Sequence, residues 1–187
     1  MQLTLIAETG PRFVGFGPYV PSINNAGAVC FAARVDGGSG VFKSDGGAIE
    51  PLVSPSAGLD VCSHPDIGDD GAFCVYARLG GEPWLLAGTA DRWDRVAPWV
   101  GPLGPTMSAS GAIAFRAESA DGPAVFVARD GTCERVAGVD DEVVGFEGLP
   151  LIDRAGRVVV RVNRADGHGA LLVVRDGART ELCREGL

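Results

Sequence analysis

PSINNAGAVCFAA, residues 21–33, decides how this chain is read. It is either a polar loop for a ligand or one turn of a repeat. The spacing chooses the repeat. Six residues after Pro21 comes Gly27, then Val29 and Phe31. Pro65 is followed at the same distance by Gly71, then Phe73 and Val75. Pro105 leads to Gly111, Ile113 and Phe115, and Pro150 to Gly156, Val158 and Val160. The second residue after each proline is Ile23, Ile67, Met107 or Ile152. The anchors lie 44, 40 and 45 residues apart. Self-similarity at such a period is the mark of a repeat architecture.

Each copy continues alike. In the first, Val41-Phe42-Lys43 and Ile49 to Val53 flank Asp45-Gly46-Gly47. In the third and fourth, Asp130-Gly131 and Asp176-Gly177 join apolar runs. Asp-Gly between apolar strands signals a hairpin, because both residues tolerate positive φ. The second copy is looser, with Trp84-Leu85-Leu86 and Trp93 to Val96. One repeat therefore reads as a stub at Pro-x-Ile, an apolar strand, and a hairpin. Four short strands in 40–45 residues predict a propeller blade. The expected fold is all-β: a four-bladed β-propeller forming one domain over residues 1–187. The repeats fall near 15–60, 61–103, 104–145 and 146–187. Apolar runs such as Val158-Val159-Val160 suit a sheet covered on both faces. Proline starts the inner strand, where its missing N–H costs no ladder bond.

A fifth fragment, Leu3-Thr4-Leu5-Ile6-Ala7, resembles the last strand of a blade, so residues 1–14 read as an extra closing strand and loop. It would cap the last blade, pair with another subunit, or mark a shift in the blade boundaries.

Asn24-Asn25-Ala26-Gly27-Ala28-Val29-Cys30-Phe31 resembles the Asn-x-x-Gly-x-x-Ala-Phe motif of a bacterial tandem-repeat family. Ser108 to Phe115 is similar, with serine in place of asparagine. Gly68 and Asp153 hold that position in the other copies. The resemblance covers most of the chain as repeats. It implies propeller-like repeats of unassigned chemistry, commonly exported or surface-anchored.

Composition narrows the function. The net charge is −8. That opposes binding to nucleic acid or anionic lipid, which requires a basic footprint. No apolar run reaches the length of a membrane span. The N-terminus lacks a basic n-region and an apolar h-region, so a cytoplasmic location is expected. Five cysteines, an odd number without CxxC, read as reduced thiols. Two histidines, His64 and His168, make a histidine-rich metal site unexpected. No cofactor or metal is expected. Asn25, Asp69 and Asp70, and the run Asp140-Asp141-Glu142, lack calcium-loop spacing and read as turn carboxylates. Gly37-Gly38-Ser39-Gly40 reads as a connection between strands. No P-loop, GxSxG or HExxH occurs.

In a propeller the mouths of the axis are the natural pocket. The candidate ligand residues beside the anchor prolines are Tyr19, Ser22, Thr106 and Asp153, with Trp99 from the loop before the third blade. His64 and Asp66 flank Pro65 and form the one candidate catalytic pair, a base and its orienter. Cys62 beside them is a weaker candidate nucleophile. The expected function is binding of a small molecule or protein at an axial mouth. The alternatives are a cofactor-independent enzyme (cyclase, isomerase or lyase) using the same pocket, and a structural subunit assembling through the N-terminal strand as a homo-oligomer.

Overall fold

The computed structural model describes residues 3–55, 58–90, 92–98, 101 and 103–185. The strands gather into two compact units, residues 1–98 and 99–187. Each unit holds two antiparallel sheets, and no helix is present among the described residues.

The first unit begins with β1 (Gly15–Phe16), β2 (Ser22–Ile23), β3 (Val29–Val35), β4 (Gly38–Ser44) and β5 (Glu50–Val53). β1 and β2 both pair with β3, which pairs with β4 and then β5. Its second sheet repeats the plan. β6 (Leu59–Val61) and β7 (Asp66–Ile67) share β8 (Phe73–Leu79), followed by β9 (Glu82–Thr89) and β10 (Arg92–Pro98). The second unit holds β11 (Thr106–Met107), β12 (Ile113–Ser119), β13 (Gly122–Arg129) and β14 (Thr132–Gly138) in one sheet. The other contains β15 (Val143–Ile152), β16 (Val158–Arg164), β17 (Gly169–Arg175) and β18 (Ala178–Arg184).

The turn inside the opening stretch occurs four times. Asn24 N–H donates to Ala28 O, and Gly27 N–H donates back to Asn24 O. Gly68, Ser108 and Asp153 start the same pair of bonds, closed by Gly71, Gly111 and Gly156. The four closing glycines have φ of 84°, 82°, 81° and 77°, left-handed backbone that side chains resist. Asn24 Oδ1 also accepts from Ala26 and Ala28, as Asp153 Oδ1 does from Ala155 and Arg157. The polar residue at this position is thus consumed by its own turn. Asn24 adds a bond to the next copy, Nδ2 to Gly68 O at 2.9 Å. Both Asp-Gly hairpins take the expected form, with positive φ at Asp130, Gly131, Asp176 and Gly177.

The inner strand is longer than a stub. In the first sheet it advances from Phe16 to Ser22 while its partner moves only from Ala33 to Cys30. The extra residues bulge out ahead of Pro21. The second sheet does the same between Val61 and Asp66. In the fourth, β15 stays continuous but shifts register between Glu147 and Leu151. Proline removes a ladder donor, so the chain bulges just before it.

Apolar side chains fill the space between the two sheets of each unit. Cys30, Ala32 and Val41 meet Phe73, Val75 and Leu86 in the first. Ala114 and Val125 meet Val160, Val162 and Leu172 in the second. The expected strand at Leu3–Ala7 is absent: residues 3–8 carry no ladder pairing. The first strand among the described residues is β1, which belongs to the first sheet. The preceding segment lies on the face of the first sheet rather than along its edge. Phe13, 2% exposed, packs with Phe31, Ala33 and Phe42, and Ile6 and Ala7 pack beside it. Arg12 sits over the Phe13 and Phe42 rings and donates to Ile49 O. Gly37 to Gly40 is mostly strand: β4 starts at Gly38. A side chain at Gly40 would strike Val53 O at 2.7 Å, which explains a glycine there.

Outside the cores, ion pairs tie the fourth sheet to its loops. Arg179 pairs with Asp140, whose Oδ1 accepts from Val143 N–H at 2.8 Å and Glu142 N–H at 3.0 Å. The Val143 amide is the largest cause that lowers the Asp140 pKa; burial opposes it and Arg179 adds to the lowering. A carboxylate with a depressed folded pKa stabilises above its unfolded value and loses that contribution as pH falls through the folded one. Native stability should therefore fall on acidification below the ordinary value of 3.8. The Asp140→Asn variant should show a shallower acid limb in urea titrations across that range, and lower stability than the native chain at neutral pH.

Candidate functional site

The inner-strand bulges carry the residues that differ most between repeats. The first bulge, Gly17 to Pro21, forms one wall of a cleft in the first unit. The cleft measures about 170 Å³ and is lined by Tyr19, Arg34, Ser39, Asp60 and the apolar Ala32, Ala33 and Val61. Two glycines shape it. A Cβ at Gly17 would meet the Tyr19 ring at 3.2 Å, and one at Gly15 would meet the Arg34 guanidinium at 3.0 Å. Their absence lets the ring and the guanidinium fold down against the strand. Ser39 Oγ accepts from Val61 N–H at 2.8 Å, pinning the second sheet to the first at the cleft floor.

Tyr19 is half-buried against the core of the unit. Its hydroxyl pKa is raised by burial first, then by Cys62 and Asp60, with Arg78 opposing. At neutral pH it is a hydroxyl donor, not a phenolate. Burial also raises the Cys62 thiol, against the pull of Arg78. A thiol so shifted is the reverse of an activated nucleophile. Cys30 and Cys74 are fully buried and pushed up by burial and by the nearby Asp66 carboxylate.

The other sequence candidates lie on the second bulge, the inner strands and the turns. His64 is half-buried in the second bulge, where its carbonyl accepts from Ser63 Oγ at 2.9 Å. Asp66 is half-buried in β7 opposite Cys74, and its Oδ1 accepts from Ile67 N–H. Its charge adds to the burial that raises the Cys30 and Cys74 thiols. Ser22 lies opposite Cys30, with its hydroxyl oxygen buried and without a partner among the described residues. Thr106 is buried, and its hydroxyl donates to Pro150 O at 2.6 Å. Asp153 closes its turn and pairs with Arg157 at 2.7 Å. Trp99 lies outside the described residues. Asn25 and Asp69 link the first two copies, Asp69 accepting from Asn25 N–H and Nδ2, while Asp70 serves its own turn by accepting from Ala72 N–H.

Thr106→Val should be costly for its size. It leaves the buried Pro150 carbonyl without its donor, at about 1–3 kcal/mol. Thr106→Ser, which keeps the hydroxyl, should retain most of that in thermal melts.

Sequence reasoning reached Tyr19 but missed Arg34, Ser39 and Asp60. The signal was present. Leu59 stands 44 residues after Gly15, the spacing of the first two anchors, so β6 is the copy of β1. Extending the repeat alignment ahead of each proline brings Asp60 beside the bulge.

Neither a protein-family model nor a curated protein sequence matches the chain. Among solved structures it is similar to a TolB candidate from Agrobacterium tumefaciens. The TM-score is 0.60 at 17% identity, over 84% of this chain and 61% of that one. It is also similar to a gluconolactonase candidate, with TM-score 0.50 and 16% identity over 91% of this chain and 65% of that one. The chain thus spans about three-fifths to two-thirds of the length of these two structures. At such identities the likeness shows the fold alone: this is a β-propeller fold, and the four sheets are four blades.

Proposed function

We propose that the chain is a binding module whose ligand is a small molecule held in the Tyr19 cleft. The cleft itself supports this reading. It joins a flat ring face and a hydroxyl donor from Tyr19 to a carboxylate, a guanidinium and a floor of small apolar residues. Such a pattern, an apolar lining with a few convergent polar groups, is what a small-ligand site needs. At about 170 Å³ it suits a ligand of single-ring size rather than a dinucleotide. The direction of the pKa shifts favours binding over chemistry, since Tyr19 and Cys62 both hold their protons more tightly. The likeness of Asn24 to Phe31 to a tandem-repeat motif agrees with a scaffold whose repeated residues build blades and whose exceptions bind.

Ligand-observed NMR against a panel of single-ring carboxylates, amines and neutral polar compounds tests it. Tyr19→Ala should abolish the responses, and Tyr19→Phe should weaken those that use the hydroxyl. Responses that survive Tyr19→Ala unchanged would sink this reading.

A further inference from the structure

Arg34 stands 44 residues before Arg78, the spacing of Pro21 and Pro65. Each faces the inner strand of its own sheet, but they meet different residues. Arg78 lies opposite Asp60, whereas Arg34 lies opposite Gly15. Directly opposed side chains of opposite charge support a strand pair. The second sheet has such a pair, and the first lacks its anionic half. The guanidinium of Arg34 lies over the glycine instead. A Cβ at Gly15 would meet its Nη2 at 3.0 Å, its Nε at 3.7 Å and its Cζ at 3.8 Å. Among the described residues no hydrogen bond or ion pair engages this guanidinium.

The same inner strand departs from the repeat a second time. It advances six positions, from Phe16 to Ser22, while its partner moves three, from Ala33 to Cys30. In the second sheet it advances five, from Val61 to Asp66, for the same three, Ala77 to Cys74. The first bulge thus holds one residue more, and it carries Tyr19, which packs against the layer between the two sheets. Arg34 is in phase with Ala32 along β3, so it stands on the side of the strand that faces this layer. An arginine without its carboxylate and an aromatic ring without a repeat counterpart therefore line one cleft, over Ala32, Ala33 and Val61.

We propose that the ligand of the Tyr19 cleft is a single-ring carboxylate, with its carboxylate on the Arg34 guanidinium and its ring on Tyr19 and the apolar floor. This rests on the reading of the cleft as a small-ligand site and adds the class of ligand. The ligand's carboxylate supplies to Arg34 what Asp60 supplies opposite Arg78. A guanidinium receives it through two parallel N–H donors, a geometry that a neutral amide cannot match. The Asp60 charge is matched by Arg78 on the neighbouring strand. Tyr19 stays neutral, because burial raises its hydroxyl pKa. Arg34 is left with the unmatched charge of the cleft.

Saturation-transfer NMR titrations with benzoate and its neutral amide, benzamide, test this. The proteins are the intact chain, Arg34→Gln, Gly15→Asp, Gly15→Asn and Tyr19→Ala, each checked for folding by circular dichroism. The intact chain should bind benzoate at least about tenfold more tightly than benzamide. Arg34→Gln should erase that difference by weakening benzoate alone. Gly15→Asp installs the carboxylate that the second sheet carries, and it should abolish benzoate binding. Gly15→Asn, of the same size without the charge, should weaken it far less. Arg34 is exposed, so Arg34→Gln decides the matter if a Gly15 variant fails to fold. Equal binding of the two probes, silence of benzoate, or benzoate affinity unchanged in Arg34→Gln overturns the carboxylate proposal. If benzamide then still binds and Tyr19→Ala abolishes it, the cleft remains a small-ligand site of another class. Responses that survive Tyr19→Ala unchanged overturn both.

Discussion

Phe73→Ala should lower the unfolding free energy by about 3–5 kcal/mol, the cost of truncating a fully buried phenylalanine. Phe73 is at 0% exposure in β8, in the layer between the first two blades. It lies opposite Ile67, which is buried with it. The cavity would open between two sheets joined by Ser39 and Val61 and by the Asn24 and Asn25 bonds to Gly68 and Asp69. Those hydrogen bonds resist collapse of the gap, so the loss should sit at the upper end of the range. Phe73→Leu should cost less than half as much, because it keeps most of the volume. Urea denaturation monitored by tryptophan fluorescence measures both, since Trp84 and Trp93 pack against the same cluster.

Phe13→Ala should be almost as severe, about 3–4 kcal/mol, although residue 13 lies in no strand. Its ring contacts three others: centroids lie 5.0 Å from Phe42, 5.8 Å from Phe31 and 5.8 Å from Phe16. The Phe31 and Phe42 contacts are edge-on, a favoured geometry that adds to area burial. Truncation also removes the ring face under Arg12. The effect should appear first as faster hydrogen exchange in β3 and β4, whose outer face the segment shields, and then as a lower melting temperature. A Phe13→Ala protein as stable as the native chain would mean that the segment is dispensable.

The chain displayed its blades through residues that leave little choice. A glycine six positions after a proline, four times over, demands the same left-handed turn, and the four φ values agree within seven degrees. Asp130-Gly131 and Asp176-Gly177 specified their hairpins equally well. What failed to show was the half of the inner strand before the proline. Its short pieces, Gly15–Phe16 and Leu59–Val61, lack an alternating apolar pattern of useful length. The N-terminal segment misled for a related reason. Leu3 to Ala7 has the composition of a strand, but Ile6 and Ala7 pack on a face already made of phenylalanines, Leu3 and Leu5 stay exposed, and no ladder forms. Asp153 and Thr106 stand beside the proline in sequence, yet their polar atoms are consumed by a turn and by Pro150. Tyr19 was legible because it breaks the repeat; Asp60 needed the repeat alignment carried ahead of the prolines, and Arg34 needed folding to bring its strand beside the bulge.

The most direct test of the four-blade repeat is amide hydrogen exchange by NMR on the intact chain. Four protected blocks are expected, spanning residues 29–44, 73–89, 113–129 and 158–175, the two adjoining strands of each sheet that are paired on both sides. Residues 3–8 should exchange fast, because no ladder holds them. A single continuous protected region, or protection at residues 3–7 equal to that of the four blocks, would contradict the four-blade repeat.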